Sequence, residues 1–216
     1  MEIDSKTRPT SVELWNDLHR QVQWGTCPEP AVARWAMRRW GGRDKDAKGS
    51  VHLLDVGCGV GAMAFWLANN GFLVDAVDAS DEAIKRAQHL YGYVYPHSLR
   101  FWPMNITNLP PSYVIHAAAQ FDGIVDVCCL QHVDDLDAAL EQIKLMLRSG
   151  GQLLSIMACA DHSPVMREEL KGATFHRLTQ GEVHRHFMRF SAVKLESTTH
   201  TDNGANISHW IIEATK

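Results

Sequence analysis

The residues best placed to do chemistry are Asp55 and the three glycines that follow it at alternate positions, Gly57, Gly59 and Gly61, all behind the apolar run Val51-His52-Leu53-Leu54. A short buried strand that ends in a carboxylate and turns through glycines brings backbone very close to a polar small molecule. Such a turn visits positive φ, and any Cβ in it would hold the ligand off. The next segment, Gly61 to Asn70, reads as a helix whose free N–H groups would face that ligand. This is the chemistry of gripping a nucleoside-containing cofactor. Gly59 to Ala64 also fits the dinucleotide pattern G-x-G-x-x-G/A, and Asp55 separates the two readings. A strand-end carboxylate repels a pyrophosphate and attracts an ammonium group.

A second carboxylate strengthens the case. Phe72 to Val77 reads as the next strand, closed by Asp78, which lies 78 − 55 = 23 residues beyond Asp55 and is followed by Ala79 and Ser80. A carboxylate there can accept both hydroxyls of a ribose. Ser80 reads as a helix cap, with Asp81 and Glu82 supplying first-turn charge and Ile84, Ala87 and Tyr91 on one face.

On these residues, Leu53 to Gly61 resembles the first motif of the class I S-adenosylmethionine-dependent methyltransferases, apolar-apolar-D-x-G-x-G-x-G, without substitution. The resemblance implies S-adenosylmethionine as the cofactor and S-adenosylhomocysteine as its product. It implies cofactor contacts from Asp55 at the methionine end, from Gly57, Cys58, Gly59 and Gly61 in the turn, and from Asp78 and Ala79 at the ribose. Asn105 would meet adenine and Ile106 would pack on its ring. The family often has a carboxylate where Asn105 stands; the amide oxygen can accept in its place. Further along, Phe121-Asp122-Gly123-Ile124 and Leu130-Gln131-His132-Val133 resemble the family's F-D-x-V…L-x-H-V segment, which sets Leu130 and Gln131 beside the transferable methyl. His132 is then a candidate base for an acceptor hydroxyl or ammonium, with packing or helix capping as the competing reading.

The elements that must position these residues follow a strand-helix rhythm implying parallel pairing with right-handed crossovers. The expected fold is a doubly wound α/β, Rossmann-like, seven-stranded and mostly parallel sheet with a C-terminal antiparallel hairpin and an N-terminal helical lid. Strands are expected at Leu99 to Met104, Gly123 to Leu130 and Gln152 to Ala158. Two β-rich runs follow, Phe190 to Thr199 and Ala205 to Thr215. Leu136, Leu140, Ile143 and Leu147 mark an amphipathic helix stopped by Arg148-Ser149-Gly150-Gly151, and Thr179 with Glu182 forms a capping box opening a helix through Phe187. Residues 51–216 would be the catalytic domain. Residues 1–50 would be a helical extension and linker, with Val12, Trp15, Leu18 (or His19) and Val22 on one stripe and Val32, Trp35, Ala36 and Trp40 on another. Both helices would sit over the carboxyl ends of the strands, where Trp15, His19 and Trp24 would meet an acceptor and His19 could also act as a base. For Trp35 and Trp40 packing onto the sheet is the favoured reading.

Composition narrows the function classes. The 216 residues suit one domain, 45% of them are hydrophobic, and the net charge of −4 argues against an extended nucleic-acid surface. No apolar run approaches a membrane span and the N-terminus lacks a signal peptide's features, so a cytoplasmic monomer or homodimer is expected. Five cysteines without C-x-x-C suit a reducing compartment. Of the 12 histidines, His184 and His186 point apart on a helix, and Asp134, Asp135 and Asp137 are explained by the helix dipole, so no metal is predicted. The end of the fourth strand reads Val127-Cys128-Cys129-Leu130 instead of (N/D)-P-P-(Y/F), and no Pro-Cys nucleophile occurs. A small-molecule acceptor with an O, N or S nucleophile, methylated by in-line displacement, is therefore the leading expectation. The alternative is a protein that binds S-adenosylmethionine without methyl transfer, as a regulatory module or for another use of the cofactor.

Overall fold

The structure, a computed structural model, describes residues 11–21, 26–43, 49–160, 173–202 and 205–216. Val22, Trp24, part of the 41–50 linker and much of the stretch after Cys159 lie outside the described residues. Seven strands, β1 (His52–Val56), β2 (Leu73–Asp78), β3 (Leu99–Pro103), β4 (Phe121–Val127), β5 (Leu147–Ala158), β6 (Ala192–Asp202) and β7 (Ala205–Thr215), form one sheet in the order β3-β2-β1-β4-β5-β7-β6. The first five pair in parallel, and β7 runs antiparallel to both β5 and β6. The helices are α1 (Ser11–Gln21), α2 (Pro30–Trp40), α3 (Ala62–Asn69), α4 (Asp81–Tyr91), α5 (Pro111–Ala117), α6 (Leu136–Met146) and α7 (Gln180–Phe187), with a 3₁₀ turn at Leu130–His132.

The strands are apolar on both faces because both faces are covered, and successive residues divide between the two cores. Leu53, Val125 and Leu154 go to a core with Trp35, Trp40, Leu67 and Phe72; Leu54, Ile124 and Leu153 go to another with Leu140, Ile143, Phe187 and Trp210. The indoles of Trp35 and Trp40 lie against Gly123 of β4, where a Cβ would stand 2.8 and 2.9 Å from them. This contact holds α2 flat on a face of the sheet, away from the carboxyl ends of the strands where the extension was expected to sit as a whole. Only α1 of the two reaches those ends.

The chain crosses from β3 on one side of β1 to β4 on the other, so the strand order reverses between β1 and β4. In an open parallel sheet that reversal leaves a crevice at the carboxyl ends of the two strands. Two boundaries differ from expectation for local reasons. The β4 ladder stops at Val127 because Cys128 takes φ 59°, a left-handed conformation no strand accommodates. The Arg148 to Gly151 segment, expected as a turn ahead of β5, is an irregularity inside it: the register with β4 shifts between Phe121 and Gly123, and Gly150 sits at φ 70°.

Candidate active site

The crevice is built from the turns that leave β1, β2 and β4. All three motif glycines have positive φ, 68° at Gly57, 53° at Gly59 and 85° at Gly61, but each is needed for a different reason. A Cβ on Gly57 would overlap the side chain of Cys129, and one on Gly61 would stand 2.7 Å from the Phe101 ring and 3.1 Å from Ala87. Those two glycines let the turn pack against the β4 turn and let α3 pack against its neighbours. Gly59 alone faces open space, with its nearest neighbour the His19 ring at 3.7 Å. Of the three, Gly59 is the one with open space against its Cα, and protein packing accounts for the absence of a side chain at the other two.

The turn is tied to β2 by two backbone bonds, Gly57 and Cys58 N–H each donating to the Val77 carbonyl at 2.8 and 3.0 Å. Asp78 fixes it from the side, accepting from Gly59 N–H at 2.9 Å and from Ser80 N–H at 2.8 Å. Each carboxylate oxygen keeps a lone-pair site beyond those bonds. Ala79, next in chain, is half-buried at the same rim. Ser80 caps α4 as expected, its hydroxyl accepting from Ala83 N–H.

Asp55 is 2% exposed. Its carboxylate accepts one backbone bond, from Ala64 N–H in the first turn of α3, and Oδ2 is buried without any partner. Burial first, then the charges of Asp126 and Asp78, push its pKa up to about 7. A buried carboxylate oxygen without a partner is costly, and protonation or a cationic group of a ligand relieves it.

Asp126, in the middle of an apolar strand, was not singled out in the sequence. Its Oδ1 accepts from the N–H groups of Cys129 (2.9 Å) and Leu130 (3.0 Å), and Oδ2 accepts from the Ser155 hydroxyl. It therefore shapes the turn bordering the crevice. A lone carboxylate inside Ile124-Val125-Asp126-Val127 was the available signal. Leu130 is completely buried and belongs to the core, as does Ile106. Asn105 turns its Oδ1 back on Thr107, accepting from its N–H (3.0 Å) and hydroxyl (2.9 Å). That oxygen was expected to accept from adenine; with two donors already on it, the amide N–H₂ is the group left for a base edge.

His132 is held at both nitrogens. Ala158 N–H donates to Gln131 Oε1 at 2.8 Å, which identifies the other Gln131 atom, 3.1 Å from His132 Nε2, as the amide nitrogen donating to it. Nδ1–H then donates to the Thr174 carbonyl at 2.9 Å. Burial lowers the imidazole's pKa, opposed by that Thr174 bond. His132 stands as a neutral ring whose Nε2 lone pair must leave Gln131 before it takes a proton. Trp15 meets it edge-on at 5.0 Å between centroids and Phe175 stacks on it at 5.1 Å. Phe175 and Thr174 sit in a stretch without periodicity and carried no sequence signal.

Cys58, Cys128, Cys129 and Cys159 lie around the crevice or at its strand ends, and none of the five cysteines is in a disulfide. Burial raises the pKa of Cys58, Cys128 and Cys129, so these thiols stay protonated. Among the described residues no cluster of His, Cys, Asp and Glu has the geometry of a metal site, and no helix is long and apolar enough to cross a membrane.

Residues 54–155 match the family model of the methyltransferase domain. The chain is 32% identical over 171 residues to the O-methyltransferase rstn1 of Aspergillus nomiae, covering 78% of this chain and 70% of that one. It is 35% identical over 151 residues to the O-methyltransferase resE of Aspergillus sclerotiorum, covering 69% of this chain and 54% of that one. The chain spans about half the length of the first curated relatives it matches. In fold it is similar to the Burkholderia thailandensis 1,6-didemethyltoxoflavin-N1-methyltransferase with bound S-adenosylhomocysteine, at TM-score 0.67, 19% identity and coverage of 93% of this chain and 83% of that one. A Haemonchus contortus phosphoethanolamine N-methyltransferase superposes at TM-score 0.70 and 16% identity, covering 98% of this chain and 59% of that one.

Proposed function

The chain belongs to the class I S-adenosylmethionine-dependent methyltransferases, and we propose that it transfers the methyl group of that cofactor to an oxygen, nitrogen or sulfur atom of a small molecule. The observation that carries this reading is the buried Asp55 carboxylate, half satisfied beside a glycine turn that opens at Gly59. The fit is to a ligand with an ammonium group at one end and a nucleoside at the other. When bound, S-adenosylmethionine supplies a methyl already activated on a sulfonium, so the protein's work is alignment and exclusion of water.

In this reading Asp55 pairs with the ammonium, the Cys58 to Gly61 backbone lies under the ligand, Asp78 takes ribose hydroxyls, and the Asn105 amide meets the adenine edge. The backbone of Leu130 and Gln131 borders the methyl. Trp15, with His132 behind it, covers the acceptor side and keeps water out. His132, neutral and bonded to Gln131, is a positioning residue unless an acceptor displaces that bond. The names of the curated relatives favour oxygen as the atom methylated. The net charge of −4 favours a small acceptor over a nucleic acid, and five cysteines without a disulfide favour the cytoplasm.

Calorimetric titration of the chain with S-adenosylmethionine, S-adenosylhomocysteine and NAD tests the reading, alongside Asp55→Ala and Asp78→Ala. The expected result is micromolar affinity for both adenosyl ligands, weakened at least about tenfold in either variant. Preference for NAD, or adenosyl binding that neither variant disturbs, would remove it.

A further inference from the structure

We infer that His19, carried on α1, is a ligand of the cofactor's ribose, so that the helix covering the crevice is itself part of the donor site. The inference rests on the proposed use of S-adenosylmethionine. His19 is 6% exposed although it lies on a short helix at the edge of the molecule. Its ring stands over the glycine turn, with Cε1 3.7 Å from the point where a Cβ on Gly59 would be, on the one side of the turn that is open. Its Nδ1 is buried without a hydrogen-bond partner. A second unpartnered polar atom, Nη1 of Arg86, is buried in the same neighbourhood, close enough for its charge to act on the imidazole. Asp78 is the carboxylate that His19 senses.

The way α1 is docked points to the same side. Asn16 Oδ1 accepts from the Ser80 hydroxyl at 2.8 Å and from Glu82 N–H at 3.3 Å, and Arg86 donates to the Arg20 carbonyl at 3.2 Å. All three partners belong to α4 or its cap, the helix that begins just after Asp78. Trp15, one turn earlier, is the α1 residue that faces His132 and the acceptor side. The His19 ring also lies 6.3 Å, tilted, from that of Trp15, but its other neighbours, Gly59, Asp78 and Arg86, are on the donor side, which favours a donor-side role over the acceptor base considered for it from sequence.

The chemistry is complementary. A ribose hydroxyl that donates to Asp78 still has lone pairs that need a donor once water is excluded. A neutral imidazole supplies one N–H, and burial, the main influence on His19, holds it neutral at physiological pH. Carboxylate below and imidazole above would then hold the hydroxyls between the sheet and α1, and cofactor binding would secure α1 before the acceptor enters.

The experiment is calorimetric titration of the full chain with S-adenosylhomocysteine and with 5′-methylthioadenosine, which keeps the ribose and lacks the amino acid. His19→Ala should weaken both ligands by about tenfold, and His19→Asn, which keeps a donor, should recover part of the loss. Combining His19→Ala with Asp78→Ala should cost less than the product of the two single effects, because both hold the same hydroxyls. Unchanged affinity in His19→Ala would make the ring a packing residue; tighter binding would make it a plug in the empty crevice; a loss confined to S-adenosylhomocysteine would move the contact to the amino acid. Each of these overturns the inference while leaving the methyltransferase reading standing. Circular dichroism checks folding, and if His19→Ala does not fold, His19→Asn with both ligands carries the test. A wild-type chain that binds neither ligand would remove the reading itself and this inference with it.

Discussion

Asp55 makes the empty crevice and the loaded one differ by a proton. Held up to about 7 by burial and by Asp126 and Asp78, its carboxyl is partly protonated at neutral pH until an ammonium arrives. Binding through the ionised form must therefore weaken as pH falls below 7, and near pH 7 it releases a fraction of a proton. S-adenosylhomocysteine should bind about tenfold more weakly at pH 6 than at pH 8, and the measured enthalpy at pH 7 should depend on the buffer's own ionisation enthalpy. Burial lowers the His19 pKa, so its ring is neutral at the alkaline end of that window. A dissociation constant flat from pH 6 to 8 would mean that Asp55 does not meet the ammonium. At this scale the sequence disclosed residue types better than residue states. Asp55 and Asp78 could be picked out because charge at the end of an apolar run is conspicuous. The locking of His132 between Gln131 and Thr174 and the reversal of the Asn105 amide were invisible, since they depend on partners 1, 42 and 2 residues away whose orientation only the folded chain defines.

The same contrast holds among the elements. β1, β2 and the capping-box helix α7 were legible because period, cap and glycine signals coincide there. α5 was not expected: at 7 residues, opened by Pro111, it is too short to display a helical stripe. α2 was recognised as a helix, but its seat on the sheet face depends on Gly123, 88 positions beyond Trp35 (123 − 35), and no local pattern reports such a pairing. The turn between β1 and α3 gives the clearest element-scale prediction, because its glycines act in different ways. Gly57→Ala combines positive φ with overlap on Cys129 and should destabilise the fold by about 2–4 kcal/mol. Gly59→Ala meets no atom closer than 3.7 Å, so its cost is only that of a left-handed alanine, about 1 kcal/mol. Its methyl nevertheless points into the crevice, and affinity for S-adenosylhomocysteine should fall by more than about tenfold. Urea denaturation and calorimetry on both variants distinguish the two roles. If Gly59→Ala binds normally, the crevice does not lie where the turn opens.

For the whole molecule, the consequence of gathering Asp55, Asp78 and Asp126 at one end of the sheet is a fold that is less stable when empty. Burial raises the pKa of each, to about 7 for Asp55 and about 6 for Asp126, whereas the unfolded chain releases those protons near 3.8. Between pH 4 and 7 the native state thus binds more protons than the unfolded state, so these groups make unfolding easier as pH rises through that window. The full penalty applies above pH 7. Asp55→Asn removes one charge from the cluster, and at pH 8 the empty variant should melt higher than wild type, by about 4–8 °C for a gain of about 2 kcal/mol in a chain of this size. S-adenosylhomocysteine at a hundred times its dissociation constant should stabilise wild type by about 2.7 kcal/mol, a rise of roughly 5–11 °C, and Asp55→Asn, binding at least about tenfold more weakly, by no more than about half of that. The variant is then the more stable protein without ligand and the less responsive one with it, the trade expected where a polar site is buried for a ligand and not for the fold. Thermal melts at pH 8 with and without ligand decide the matter. An Asp55→Asn protein that melts below wild type when empty would show that the carboxylate serves the fold through its bond to Ala64, and that its unpartnered oxygen is no mark of a binding site.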